Sequence, residues 1–108
     1  MSFDGRLLAG ITVLAAVVQG RSFVRAGEAL GITTSGVSRS IARLEERLGI
    51  RLLDRTPRSV ALTDEGKRFY EQVGPLLSTI EDAANSVSGS ASAVQGRLRV
   101  DIDPISRA

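Results

Sequence analysis

The chain contains no cysteine, no histidine and no tryptophan. Without cysteine there are no disulfides and no thiolate nucleophiles. Without either residue the thiolate and imidazole metal ligands are gone, and so is histidine acid–base catalysis. Aromatic residues are few, three Phe and one Tyr. Phe23 and Phe69 fall where a core and a helical seam need them, which leaves little for a single-strand-binding surface of stacked aromatics. Lysine is almost missing: Lys67 is the sole Lys, and the other 13 of the 14 basic residues are Arg. Arginine is the side chain suited to two-pronged recognition of phosphate or guanine. The net charge is only +2, so the placement of those arginines says more than their number.

Long hydrophobic runs are also absent. Residues 7–18 (LLAGITVLAAVV) are too short to span a bilayer. Asp4 precedes the run along with Arg6, and no small-x-small cleavage site follows it. The run therefore reads as a core helix and not as a secretory signal, and a cytoplasmic chain with no membrane partner is expected. With 108 residues, 43% hydrophobic and 24% charged, the chain suits one compact domain plus an appendage.

Residues 4–19 read as the first helix. Leu7, Ile11, Leu14 and Val18 recur on one face, and Val13 and Val17 widen that face enough to suggest packing on a second chain. Gly20 is placed to end the helix in left-handed geometry. Ser22 is a suitable N-cap for a short second helix over residues 23–30. Phe23, Ala26, Gly27 and Leu30 form its inner face, and Ala26 and Gly27 are small enough for a close crossing. Gly31 and Ile32 make a tight turn, and Thr33 caps a third helix over residues 34–48.

The third helix carries the most information. Val37, Ile41, Leu44 and Leu48 form a single apolar stripe. The opposite side carries Ser35, Arg39, Ala42 and Glu46, flanked by Ser38 and Arg43. Arg39, Arg43 and Arg47 stand four apart. Like charges at that spacing cost roughly a few tenths of a kcal/mol per pair, which Glu46 relieves in part. A helix that keeps such a ladder is suited to an anionic partner. Arg47 and Arg51 sit far from its N-terminal end and read as solvated.

Gly49 stops this helix. Residues 50–55 and 59–62 read as two strands joined through Thr56, Pro57 and Arg58, a hairpin with a basic tip. Thr63 then caps a long fourth helix, with Asp64 and Glu65 at the positive end of its dipole. Phe69, Val73, Leu76, Ile80, Ala83 and Val87 alternate spacings of four and three, a coiled-coil seam, broadened by Tyr70, Leu77 and Ala84. A domain this small does not need so long a seam, so the helix reads as a dimerisation element. Pro75 predicts a bend near Glu71 and not two separate helices. Residues 85–96 (NSVSGSASAVQG) have the composition of a flexible hinge. Residues 97–102 (RLRVDI) alternate like the first strand of a further domain, just where the sequence stops. The expected divisions are residues 1–63, 64–92 and 93–108.

Two helices joined by a tight turn, the second polar and basic outside, match a helix-turn-helix. A helix fits the major groove, Arg can bond both acceptors of guanine, and Ser and Thr can meet bases or phosphates. The basic hairpin can hold the adjacent backbone as a wing does. The expected fold is therefore mainly α: a three-helix core with a two-stranded wing, followed by a long dimerisation helix. A protein–protein module built on the long helix is the competing reading. A carboxylate hydrolase is the weakest, because Glu45 and Glu46 are adjacent on a helix and point apart.

The run from Ser22 to Gly66, SFVRAGEALGITTSGVSRSIARLEERLGIRLLDRTPRSVALTDEG, closely resembles the N-terminal winged helix-turn-helix domain of LysR-type transcriptional regulators. The specific pieces are Ser22-Phe23, Val37-Ser38-Arg39 with Ile41, Leu44-Glu45 with Leu48-Gly49, Leu53 with Arg55, and Leu62-Thr63 with Gly66. The resemblance implies that Thr34, Ser35, Ser38 and Arg39 meet the major groove. It places Ser22 and Thr33 at caps near phosphates and Arg58 at the wing tip by the minor groove; Arg43 is a candidate phosphate contact. It further implies no cofactor, a homodimer on an inverted-repeat operator and a tetramer for a full-length protein. A small-molecule inducer would act through a C-terminal effector domain. Gly27 and Gly36 depart from the family's usual Ala, and Thr34 from its frequent Gln.

Overall fold

The computed structural model describes residues 4–55 and 60–95. In order they form α1 (Gly5–Gly20), α2 (Phe23–Leu30), α3 (Thr34–Leu48), β1 (Leu53–Arg55), β2 (Val60–Leu62) and α4 (Asp64–Gln95). Two compact units result, one ending at Gly74 and one beginning at Pro75.

The first unit is built around α1, which packs against α2, α3 and β2. Its core joins Ile11, Leu14 and Ala15 of α1 to Ala26 of α2, Val37, Ile41 and Leu44 of α3, and Leu52 and Leu53 after it. Because α1 is covered on several sides, its apolar surface must be broad. That corrects one expectation. Val13 is 7% exposed and Val17 0%, so nearly all of the surface expected to face a second chain is already buried within the chain itself.

The helix ends follow side-chain chemistry. Asp4 caps α1, accepting from the Arg6 N–H at 2.9 Å, and its carboxylate pairs with Arg47. The Arg6 N–H first, then the Arg47 guanidinium, hold the Asp4 carboxyl below its ordinary range. A carboxylate so depressed stabilises the fold above its unfolded pKa, and that contribution is lost as pH falls through the folded value. Ser22 accepts from the Arg25 N–H at 3.1 Å and Thr33 from the Gly36 N–H at 2.9 Å. At the other ends, Gly31 and Gly49 take positive φ values of 72° and 73°. Gly20 does not do so; the left-handed residue after α1 is Arg21, with φ 55°. Gly20 instead lies close to α2: a Cβ there would stand 3.2 Å from the Cβ of Arg25, a tight contact.

The wing strands are antiparallel, with Leu53 opposite Leu62, Asp54 opposite Ala61 and Arg55 opposite Val60. The first is shorter than the expected 50–55 because the backbone leading into it is bonded elsewhere; the expected start of the second, residue 59, lies outside the described residues. The Leu52 and Leu53 N–H groups donate to the Glu45 carboxylate at 2.8 and 3.3 Å. The Leu52 carbonyl accepts from the Thr63 N–H at 2.9 Å. Thr63 closes the corner: its hydroxyl donates to the Arg51 carbonyl at 2.6 Å and accepts from the Gly66 N–H at 2.9 Å. The start of α4 is thereby seated in the first unit, where Phe69 and Val73 are half-buried.

The second unit contains the rest of α4, which is one helix through Pro75 to Gln95. The expected hinge is therefore helical over residues 85–95. No proline follows Pro75 before Gln95, and an established helix gains one hydrogen bond per added residue. Leu76, Ile80 and Val87 are exposed at 61%, 56% and 72%, and Ala83 between them is exposed as well. The expected strand at residues 97–102 lies outside the described residues.

Candidate nucleic-acid interface

The third helix divides cleanly by side. Val37, Ile41 and Leu44 are buried. Thr34, Ser35, Arg39, Ala42, Arg43 and Glu46 are exposed on the remainder, and Ser38 is half-buried between the two sides. The sequence-predicted readers Thr34, Ser35 and Arg39 thus share the outward surface at the N-terminal half of α3, with Ser38 at its margin. Thr33, at the N-cap, is exposed too, and its hydroxyl is engaged with the Gly36 N–H. Ser22 is half-buried at the start of α2, engaged with the Arg25 N–H. These two hydroxyls fix the helix starts, whose unbonded first-turn N–H groups suit phosphate oxygens.

Electrostatics separate the arginines. Among the described residues, one ion pair forms, Arg47 with Asp4. Arg51 donates to the Leu53 carbonyl at 3.3 Å. Both side chains expected to be merely solvated therefore have intramolecular partners. Arg39 and Arg43 join no ion pair among the described residues, and the pairing of Arg43 with Glu46 does not form. Beside Arg43, a cleft of about 560 Å³ opens between α1 and α3, with Arg6, Arg47, Ser40, Leu7 and Leu44 among its walls. The α3 surface is therefore an outward row of hydroxyls and of guanidinium groups that join no ion pair among the described residues, flanked by a cleft that Glu46 also lines. That row suits hydrogen-bonding to base edges and phosphates. Arg58, the expected wing-tip contact, lies outside the described residues.

Two residues matter more to the geometry than their sequence context announced. Glu45, weighed above as half of an acid pair and as a piece of the family resemblance, ties α3 to the backbone entering the wing. Gly66 lets α4 pass over Leu52. A Cβ at Gly66 would fall 3.0 Å from the Leu52 carbonyl carbon and nearer still to its oxygen, closer than real Cβ atoms come. The available signal was a glycine in the first turn of a well-capped helix, where alanine is intrinsically better.

Comparison with known proteins places this geometry. Residues 8–67 match the family described as "Bacterial regulatory helix-turn-helix protein, lysR family". The HTH-type transcriptional regulator CrgA of Neisseria meningitidis serogroup C (strain 8013) is 41% identical over 91 residues, 84% of this chain and 30% of that protein. The HTH-type transcriptional regulator PgrR of Escherichia coli (strain K12) is 38% identical over 93 residues, 86% of this chain and 31% of that protein. The crystal structure of the BenM DBD/benA site 1 DNA complex superposes with a TM-score of 0.67 at 39% identity, covering 79% of this chain and 96% of that one. The chain thus spans less than a third of the length of these two regulators. Among the described residues, no helix is long and apolar enough to cross a membrane. A winged helix-turn-helix with this match across residues 8–67 belongs to the LysR family of bacterial regulatory helix-turn-helix proteins.

Proposed function

We propose that the chain binds double-stranded DNA sequence-specifically as a transcriptional regulator, with the N-terminal half of α3 in the major groove. The observation that carries this is the outward row Thr34, Ser35, Arg39 and Arg43 on a helix whose other side is buried. Among the described residues, the arginines of that row join no ion pair. Thr34, Ser35, Ser38 and Arg39 meet base edges; Ser22, Thr33 and Arg43 lie by phosphates; and Arg58 extends the contact from the wing. The role is binding and not catalysis: Glu45 is occupied by backbone amides. A cytoplasmic location follows from such a role.

Duplex affinity that falls steeply with salt tests the reading, since each neutralised phosphate adds about 0.9 to the logarithmic slope. Arg39→Ala is expected to weaken a selected site by about 1–3 kcal/mol while sparing random DNA. An equal loss on both, measured by titration, would make Arg39 a phosphate contact.

The chain acts as a two-fold homodimer reading two half-sites. Support comes from Leu76, Ile80, Ala83 and Val87, exposed on α4 at seam spacing. Phe69 and Val73, half-buried in the first unit, contribute what surface they retain. Ile80→Glu is expected to give monomers in sedimentation; intact dimers would move the interface elsewhere. In a full-length protein, a following effector domain supplies small-molecule control and assembly to a tetramer, as the resemblance implies.

A further inference from the structure

We infer that Ile32 reads a thymine methyl in the major groove, an inference that rests on the DNA-binding role proposed above. Ile32 stands in the turn between α2 and α3, just before the Thr33 cap, and is 42% exposed. Its neighbours Gly31, Thr33, Thr34 and Ser35 are exposed as well, so it is the one large apolar side chain in a polar stretch. An exposed isoleucine by itself is ordinary. Two glycines set this one apart.

The first is Gly27. A Cβ there would stand 2.7 Å from the Ile32 carbonyl oxygen, a distance real Cβ atoms essentially never show. The Ile32 N–H donates to the Gly27 carbonyl at 2.9 Å. The backbone of Ile32 is therefore held against the bare α-carbon of α2. The second is Gly36. The Cβ and Cδ1 atoms of Ile32 both lie 3.9 Å from where a Gly36 Cβ would stand. The recognition helix thus has a position in its first turn with no side chain of its own, flanked by the isoleucine and, nearer, by the Thr33 hydroxyl oxygen at 3.2 Å. Arg39 follows three residues later on the same side of the helix.

The base edges of the major groove present hydrogen-bond donors and acceptors, with one apolar exception: the C5-methyl of thymine. A pinned, exposed aliphatic group beside an otherwise polar reading face matches that exception. Gly36 has no methyl to offer at this place, so the apolar contact belongs to Ile32. Its neighbours Thr34, Ser35 and Arg39 are left to read the polar edges.

The test removes the methyl from the DNA and leaves the protein intact. Duplexes bound by the whole chain are enriched from a random library, and each thymine of the best-bound duplex is replaced singly by deoxyuridine. We expect one thymine in each half-site at which replacement weakens binding about three- to fivefold, the worth of one buried methyl. Ile32→Val, which keeps the branched Cβ and loses Cδ1, should shrink that penalty below about twofold at the same thymine. A chain that binds duplex DNA but tolerates deoxyuridine everywhere overturns the inference and leaves DNA binding standing. A penalty unchanged in Ile32→Val also overturns it, by assigning the methyl to another residue. Failure to enrich any duplex overturns the DNA-binding role, and this inference with it.

Discussion

Gly66→Ala is expected to destabilise the chain by about 3 kcal/mol, near the upper end for overpacking a well-filled site. The sign of the effect is the informative part. On helix propensity alone the substitution should stabilise, because alanine is better than glycine inside a helix by about 0.5–1 kcal/mol. The opposite is expected because the new methyl would land on the Leu52 backbone, with the carbonyl carbon at 3.0 Å and the α-carbon at 3.1 Å. That carbonyl cannot simply turn aside: its oxygen accepts the Thr63 N–H at 2.9 Å. Leu52 itself is fully buried. Either the first turn of α4 lifts away or the strand entering the wing shifts, and both break the corner around Thr63. For a domain of this size each kcal/mol moves the melting midpoint by roughly 4–8 °C, so a drop of roughly 12–24 °C should appear in thermal unfolding by circular dichroism. A midpoint that holds or rises would show that α4 does not start against Leu52.

Glu45→Ala is the second large effect, expected at about 2–3 kcal/mol. The carboxylate accepts two backbone N–H groups, from Leu52 and Leu53, in a half-buried setting. A hydrogen bond to a charged group contributes about 1.5–3 kcal/mol, and a donor left without a partner adds its own desolvation cost. Glu45→Gln keeps an acceptor oxygen and should recover part of the loss. Glu46→Ala, one residue away and exposed, should stay within about 0.5 kcal/mol of the parent. Denaturant unfolding of the three variants gives the comparison. If Glu45→Ala and Glu46→Ala behaved alike, the tie between α3 and the wing would contribute nothing. Amide exchange at Leu52 and Leu53 gives a local readout, since opening of that tie should expose these two N–H groups first.

Much of the architecture was legible because it is written locally. The caps Ser22, Thr33 and Thr63 are each followed by a run with helical periodicity, and Gly31 and Gly49 stand where the chain must turn left-handed. The apolar stripe of α3 fixed which side of that helix faces out, and hence the candidate reading surface. What was not legible depends on contacts between distant residues. Val13 and Val17 looked surplus because periodicity on one helix cannot show how many neighbours will cover it. The hold of Glu45 on Leu52 and Leu53 spans a turn whose geometry no local pattern encodes. Arg21, a residue type with no preference for left-handed backbone, took the position assigned to Gly20, and no local pattern marked it. The composition of residues 85–95 suggested a hinge, yet serine and alanine are no barrier to a helix already under way.

The central position of α1 has a consequence for synthesis. The most apolar helix of the first unit is made first, whereas the two helices that cover it end 28 residues later, at Leu48. At translation rates of about 5–20 residues per second, that interval is roughly 1.5–6 s. Throughout it, the apolar sides of α1 exist without the helices that cover them, so the core of the first unit cannot close until α3 is complete.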